Sequence, residues 1–232
     1  MTYNRKPNFR KPTVKANEIL VAASSIETFP IKVKNIVKEF SDIEIRTYEQ
    51  ARAKGVDIDA FGSKSAVIQC MYGRYIIFYN KEKPSEHNRF SILHEFGHYI
   101  CGHRLGKQEE KEYEVSEVEA NTFAAQILMP EQVIRELRKR GAVVDKAFLI
   151  KYFGVSGEAA DKRFATLAKT IYEWRDREEK EFDDIILLKY KNFMDSIIPA
   201  RNKYTEDYYE LDRQLERNTW VADNRCRYGN QY

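Results

Sequence analysis

Two histidines four residues apart, with a glutamate directly after the first, stand in His94-Glu95-Phe96-Gly97-His98. Imidazole nitrogens are good ligands for zinc, and a carboxylate beside them can take a proton from water. On a helix, positions four apart lie about 40° from each other and one turn apart along the axis, so both rings can reach one ion. This is the spacing of metal-assisted peptide hydrolysis, with Glu95 as the base. A pattern with three fixed positions also arises by chance, and the bland alternative is a helix carrying two half-exposed histidines. The surrounding sequence decides between them.

The motif needs a helix, and its flanks predict one. Pro84-Ser85-Glu86 reads as a start, with Ser85 as N-cap and Glu86 in the first turn, and Gly102 reads as a stop after Cys101. Phe90, Leu93, Phe96, Gly97 and Ile100 form one apolar stripe for a core, with His94 and His98 on its edge and Glu95 beyond them. All four histidines, His87, His94, His98 and His103, fall in this one stretch, which scattered structural use would not usually produce. One large zinc-peptidase class takes a third histidine ligand, after a glycine, at positions where this chain has Arg104 and Cys101, so that scheme does not fit. His103 is expected near the last carbonyls of the helix, with substrate contact as a lesser role.

The third ligand must then come from a second helix, which Ser116-Glu117-Val118-Glu119-Ala120-Asn121-Thr122-Phe123-Ala124-Ala125-Gln126-Ile127-Leu128-Met129-Pro130 predicts. HEFGH with Arg89-Phe90 before it, followed after a short charged loop by EVEANTFAAQILMP, resembles the ImmA/IrrE family of bacterial and phage-borne zinc metallopeptidases. The resemblance is strong over about residues 85–135 and extends in outline over about 17–170. It implies that the glutamate directly before Ala-Asn, here Glu119, is the third zinc ligand, with Glu117 as its main rival. Glu119 also reads as the partner of Ser116 in a capping box. As a ligand it would emerge from the face it shares with Phe123, and Ala124 and Ala125 would let the two helices approach closely.

Two neutral imidazoles and one carboxylate leave a coordination position open, the arrangement of catalytic Zn2+. The ion would bring the pKa of water toward about 7, and Glu95 would accept its proton and pass it to the leaving amine. Tyr99, Tyr113 and Tyr152 are candidate donors to the oxyanion, three of 15 tyrosines with nothing in the sequence to choose between them. Cys101 lies one turn past His98, and a buried thiol is expected there, since a fourth protein ligand would close the site.

The fold expected around this site is α+β: a zincin-like core with a small antiparallel or mixed sheet and the HExxH helix, followed by an all-helical C-terminal part. Ile43–Arg46, Ala66–Cys70 and Arg74–Tyr79 read as strands, the last two joined by a hairpin at Met71-Tyr72-Gly73. An edge strand beside the zinc helix could bind an extended polypeptide by strand addition. Asn17–Ala23 and Val33–Phe40 read as short helices. The expected divisions are a flexible basic arm over 1–16, the peptidase domain over 17–141, a helix-turn-helix-like unit over 142–172 and a helical extension over 173–232. In the third of these, Asp145 and Ser156 are N-cap candidates, and the second helix mixes Glu158 and Asp161 with Lys162 and Arg163. With no basic excess, that unit is expected to pack on the peptidase core rather than enter a DNA groove. In the extension, Ile186, Tyr190, Phe193, Met194 and Ile197 recur at helical spacing before Pro199, and Tyr204, Tyr208, Leu211 and Leu215 suggest a further helix.

Composition bounds the rest. The 232 residues, 43% of them hydrophobic, can bury one good core and a small second one, and a net charge of +3 neither favours nor excludes a nucleic-acid partner. The apolar run Ile19–Ala23 is too short for a signal peptide, and no stretch is long enough to span a membrane. Three cysteines, Cys70, Cys101 and Cys226, do not suggest a disulfide framework, so a cytoplasmic protein is expected. The resemblance implies a narrower activity than general proteolysis: site-specific cleavage of a helix-turn-helix repressor, often one encoded on a phage or mobile element. The alternatives are a module that binds a regulator without hydrolysis, or a toxin–antitoxin component, on the same scaffold.

Overall fold

In a computed structural model the chain is described over residues 6–106, 109–168 and 176–199. Helices α1 (Arg10–Ala22) and α2 (Val33–Phe40) lead into strand β1 (Glu44–Thr47) and the short helix α3 (Tyr48–Arg52). Strands β2 (Ala66–Met71) and β3 (Arg74–Tyr79) follow, then the two long helices α4 (Ser85–Cys101) and α5 (Glu110–Leu128). The chain continues through α6 (Glu131–Lys139), α7 (Lys146–Phe153), α8 (Gly157–Leu167), α9 (Arg177–Lys189) and α10 (Lys191–Ile197). The architecture is α+β, with a small mixed sheet and helices making up most of the rest.

The sheet has the order β1-β3-β2, with β1 parallel and β2 antiparallel to β3. The hairpin turn lies at the expected place and has a physical reason: Tyr72 and Gly73 both have positive φ, 53° and 74°, the backbone a two-residue turn needs to match strand twist. In β3, Ile77 and Phe78 are fully buried on opposite faces, Ile77 in the main core and Phe78 in a smaller cluster with Tyr48, Ala51 and Ile58. Among the described residues β2 pairs only with β3, and its other edge faces α4.

Helix α4 ends as its sequence predicts, at Gly102 in the left-handed conformation (φ 69°). Its start differs in detail, since Pro84 holds the N-cap position and Ser85 is already helical. Helix α5 begins at Glu110, well before Ser116, so the charged segment expected as a loop is its first turns. Ser116 is therefore inside the helix, where its Oγ donates to the Glu112 carbonyl at 2.8 Å, and the Ser116/Glu119 capping box does not form. The two helices cross closely at Gly97, where an added Cβ would lie 3.0 Å from Phe123 Cδ1 and 3.3 Å from Ala120 Cα and O. The close approach is thus carried at Gly97 and Ala120, with Ala124 fully buried one turn further along α5.

The first helix starts at Arg10, so residues 10–16, expected in a flexible arm, form its first turns. Asn8 Oδ1 accepts from the amides of Arg10 and Lys11 at 3.0 and 3.1 Å, which closes that helix end. The α7/α8 pair has both expected caps: Asp145 accepts from Phe148 N and Ser156 from Ala159 N. It packs against the core through Leu149, Phe153 and Ala160, all fully buried. Arg163, 4% exposed, donates from Nε and Nη2 to the Met129 carbonyl at 3.0 and 2.7 Å and also reaches Gln126 Oε1, fastening α8 to the end of α5. In the extension, Tyr190 and Phe193 meet Phe29 with ring centroids 5.0 and 4.9 Å away, and Ile186 and Met194 are fully buried. That stripe therefore packs on the core, whereas Tyr204, Tyr208, Leu211, Leu215 and Cys226 lie outside the described residues.

Between α1 and α2, Glu39 takes four hydrogen bonds, from the amides and hydroxyls of Ser24 and Ser25. These bonds stabilise the anion and hold its pKa down to about 2 from the usual 4.5. A depressed carboxylate contributes stability that is present above about 4.5 and is lost as pH falls through about 2. Glu39→Gln is therefore expected to lower the urea midpoint at neutral pH and to match wild type once the pH is below about 2. A gap between the two proteins that persists unchanged at that pH contradicts this account.

Candidate metal centre

Nε2 of His94 and Nε2 of His98 lie 3.1 Å apart, and the Glu117 carboxylate lies 3.3 Å from the first and 3.2 Å from the second. Among the described residues, His94, His98 and Glu117 bring one ligand atom each within 4.8 Å of one another. Helix periodicity explains the set. His94 and His98 are one turn apart on α4, and Glu117 and Asn121 are one turn apart on the facing side of α5. Asn121 Oδ1 is 3.0 Å from His94 Nδ1, so it accepts a hydrogen bond from Nδ1–H and leaves the Nε2 lone pair directed inward.

Glu119 does not join this group, which corrects the expectation that it would. Residues two apart on a helix point about 200° apart, so Glu117 and Glu119 cannot both face the histidine pair. Glu119 is fully buried: its Oε2 lies 3.0 Å from His103 Nε2 and its Oε1 accepts from the Asn8 amide at 2.8 Å. His103 is likewise not engaged with helix-end carbonyls through its ring; its Nδ1 lies 3.1 Å from His98 Nδ1. His87 stands apart from the pair, bonded to Ser65 Oγ at 2.8 Å. Cys101 is 2% exposed, in keeping with the buried thiol expected.

Glu95 projects to the other side of the pair, where its Oε2 accepts from the Ile68 amide on the open edge of β2 at 2.8 Å. Burial pushes its pKa up, and the His94 and His98 charges and the Ile68 amide only partly offset this. A carboxyl group shifted toward neutrality is suited to exchange protons near physiological pH. Burial opposes a charge on His94, but hydrogen bonding to Glu117 and the nearby carboxylates outweigh it and raise its pKa. Burial also opposes the charge on Glu117, yet its bonds to His94 and His98 hold its pKa well below the ordinary carboxylate range.

The donor set fits a divalent cation. With the Nδ1 position of His94 committed to Asn121, the atoms that converge are imidazole lone pairs and a carboxylate, all electron-rich, and nothing but a cation or added protons can satisfy them together. His94, His98 and Glu117 would offer zinc two nitrogen ligands and one oxygen ligand, a donor set that suits it.

The group lies on the floor of an open cleft of about 1310 Å3. Ala66–Gln69 of β2 and Ser156, Glu158 and Lys162 at α8 are among the residues that line it. Of the three tyrosines considered as oxyanion donors, Tyr113 lines this cleft. Tyr99 instead packs on Tyr75 and Tyr152 on Phe148. Asn121 and the cleft-facing side of α8 were missed by the sequence reading. Asn121 carried a signal, because Glu117-x-x-x-Asn121 repeats the four-residue spacing of His94-x-x-x-His98.

No curated protein matches the chain. The family model for the IrrE N-terminal-like domain, peptidase family M78, matches residues 45–165, a span that runs from β1 to α8 and contains every side chain of the histidine–glutamate group. The chain belongs to that peptidase family.

Proposed function

We propose that the protein is a zinc-dependent, site-specific endopeptidase in which Nε2 of His94, Nε2 of His98 and the carboxylate of Glu117 hold the ion and Glu95 is the general base. The observation that carries this reading is the convergence of two imidazoles and a carboxylate, 3.1–3.3 Å apart, on the floor of a cleft. A bound Zn2+ with three protein ligands supplies Lewis acidity, bringing the pKa of water toward about 7 and polarising a peptide carbonyl.

The chain's own residues do the rest. Asn121 orients His94 through its Nδ1–H. Glu95, held beside the pair by the Ile68 amide, accepts a proton from the attacking water and returns it to the leaving amine nitrogen. On β2 the backbone groups of alternate residues point away from β3; Ile68 N–H there is held by Glu95, and the rest of this edge is where an extended substrate would add as a strand. Tyr113 is the candidate donor to the developing oxyanion. The cleft exceeds the roughly 300–1,000 Å3 of a small-molecule pocket, which favours a polypeptide.

The substrate proposed is a helix-turn-helix transcriptional repressor of a mobile element or stress regulon, cleaved in the cytoplasm; this follows from the resemblance. No helix among the described residues is long and apolar enough to cross a membrane. The test is co-expression with a helix-turn-helix repressor encoded near the gene. Wild type should remove the intact repressor and Glu95→Gln should leave it. Equal survival of the repressor with both proteins overturns the substrate assignment. Full biological activity of Glu95→Gln overturns hydrolysis itself in favour of a binding module.

A further inference from the structure

His103 and Glu119 have no place in the mechanism above, yet they form a continuous line to it. His98 Nε2 faces the metal group, His98 Nδ1 lies 3.1 Å from His103 Nδ1, and His103 Nε2 lies 3.0 Å from Glu119 Oε2. Glu119 is fully buried and the His103 side chain is 4% exposed. Only one arrangement of protons satisfies the whole line when His98 Nε2 presents its lone pair to an ion. His98 Nδ1–H donates to His103 Nδ1, and His103 Nε2–H donates to Glu119. Glu119 in turn is held by the Asn8 amide at 2.8 Å. Lys11 Nζ, on the first turn of α1, donates to the Cys101 carbonyl at 2.6 Å and fixes α1 to the end of α4.

We propose that His103 and Glu119 are positioning residues that lock His98 in the Nδ1–H tautomer and fix its ring, with the N-terminal segment at Asn8 closing the line. The proposal rests on the reading that His94, His98 and Glu117 bind zinc. It gives Glu119 a function in the site without making it a ligand. His94 receives the same service from one short contact with Asn121. His98, deeper in the protein, receives it through two side chains on two different segments.

The test measures zinc affinity by competition with a chromophoric chelator, together with imidazole nitrogen NMR of the zinc-loaded protein. Wild type should show His98 as the Nδ1–H tautomer. His103→Leu should weaken zinc binding about 10–100-fold, the usual cost of losing such a partner. His103→Asn, whose amide oxygen can replace Nδ1 as acceptor, should recover most of that loss. Glu119→Gln keeps the volume and covers the case in which His103→Leu fails to fold; it too should weaken binding. Unchanged affinity in a folded His103→Leu or in Glu119→Gln overturns the positioning role while leaving the metal site standing, as does an Nε2–H tautomer of His98 in wild type. Failure of wild type to bind zinc, or binding unaffected by Glu117→Ala, overturns the metal reading and this proposal with it.

Discussion

Glu95→Gln is expected to lower the turnover of a cleaved substrate by about 10²–10⁴-fold, the range lost with a general acid–base group, while zinc stays bound. The carboxamide has nearly the same shape, and its oxygen can still accept from the Ile68 amide, so the cleft and the edge of β2 should keep their geometry. What it lacks is the ability to take a proton from water. Burial raises the pKa of Glu95 but leaves it an acid that can exchange protons, whereas the amide cannot. The comparison should be made on the rate of the chemical step, with metal content measured on the same samples. A variant that keeps its zinc and also keeps wild-type turnover contradicts the role given to Glu95.

The second large effect is expected at Gly97. An added Cβ there would lie 3.0 Å from the Phe123 ring and 3.3 Å from the Ala120 backbone, and backbone cannot move aside as a flexible side chain can. Gly97→Val should therefore destabilise the protein by about 1–3 kcal/mol or more, the range for overpacking a well-packed core. Gly97→Ala should cost less, because alanine gains up to about 1 kcal/mol of helix propensity over glycine. Forcing α4 from α5 also moves His94 and His98 away from Glu117, so zinc affinity should fall in the same order, glycine above alanine above valine. Urea unfolding and chelator competition on the three proteins check both orders. Gly97→Val as stable and as metal-replete as wild type contradicts the close helix crossing.

The sequence made the chemistry easier to read than the partner that completes it. His94, Glu95 and His98 lie within five residues of one helix, so spacing alone brings them near one another. The third acidic group depends on the rotation of α5 about its axis, which turns on where that helix begins and how it meets α4. The resemblance pointed to Glu119 as the ligand, and a helix start at Ser116 offered it a capping box as the competing role. With the helix beginning at Glu110 and Gly97 pressed on Ala120, Glu117 and Asn121 face the histidines instead. Caps and turns with strong local chemistry, such as Asp145, Ser156, Gly102 and the Tyr72-Gly73 turn, were legible because each is decided within a few residues. The His98–His103–Glu119 line and the docking of α8 beside the cleft were not, since they depend on contacts between segments far apart in the chain.

The measurement that tests the central claim most directly is the zinc content of purified wild type, His98→Ala, Glu117→Ala and Glu119→Ala after reconstitution with a modest excess of zinc near neutral pH. About one zinc per chain is expected in wild type, with His98→Ala and Glu117→Ala emptied by brief chelator treatment. Glu119→Ala should load and retain its ion under the same treatment, with weaker binding showing only against a stronger competitor. Zinc lost from Glu119→Ala and kept by Glu117→Ala, or no zinc in wild type, would contradict a centre built from His94, His98 and Glu117.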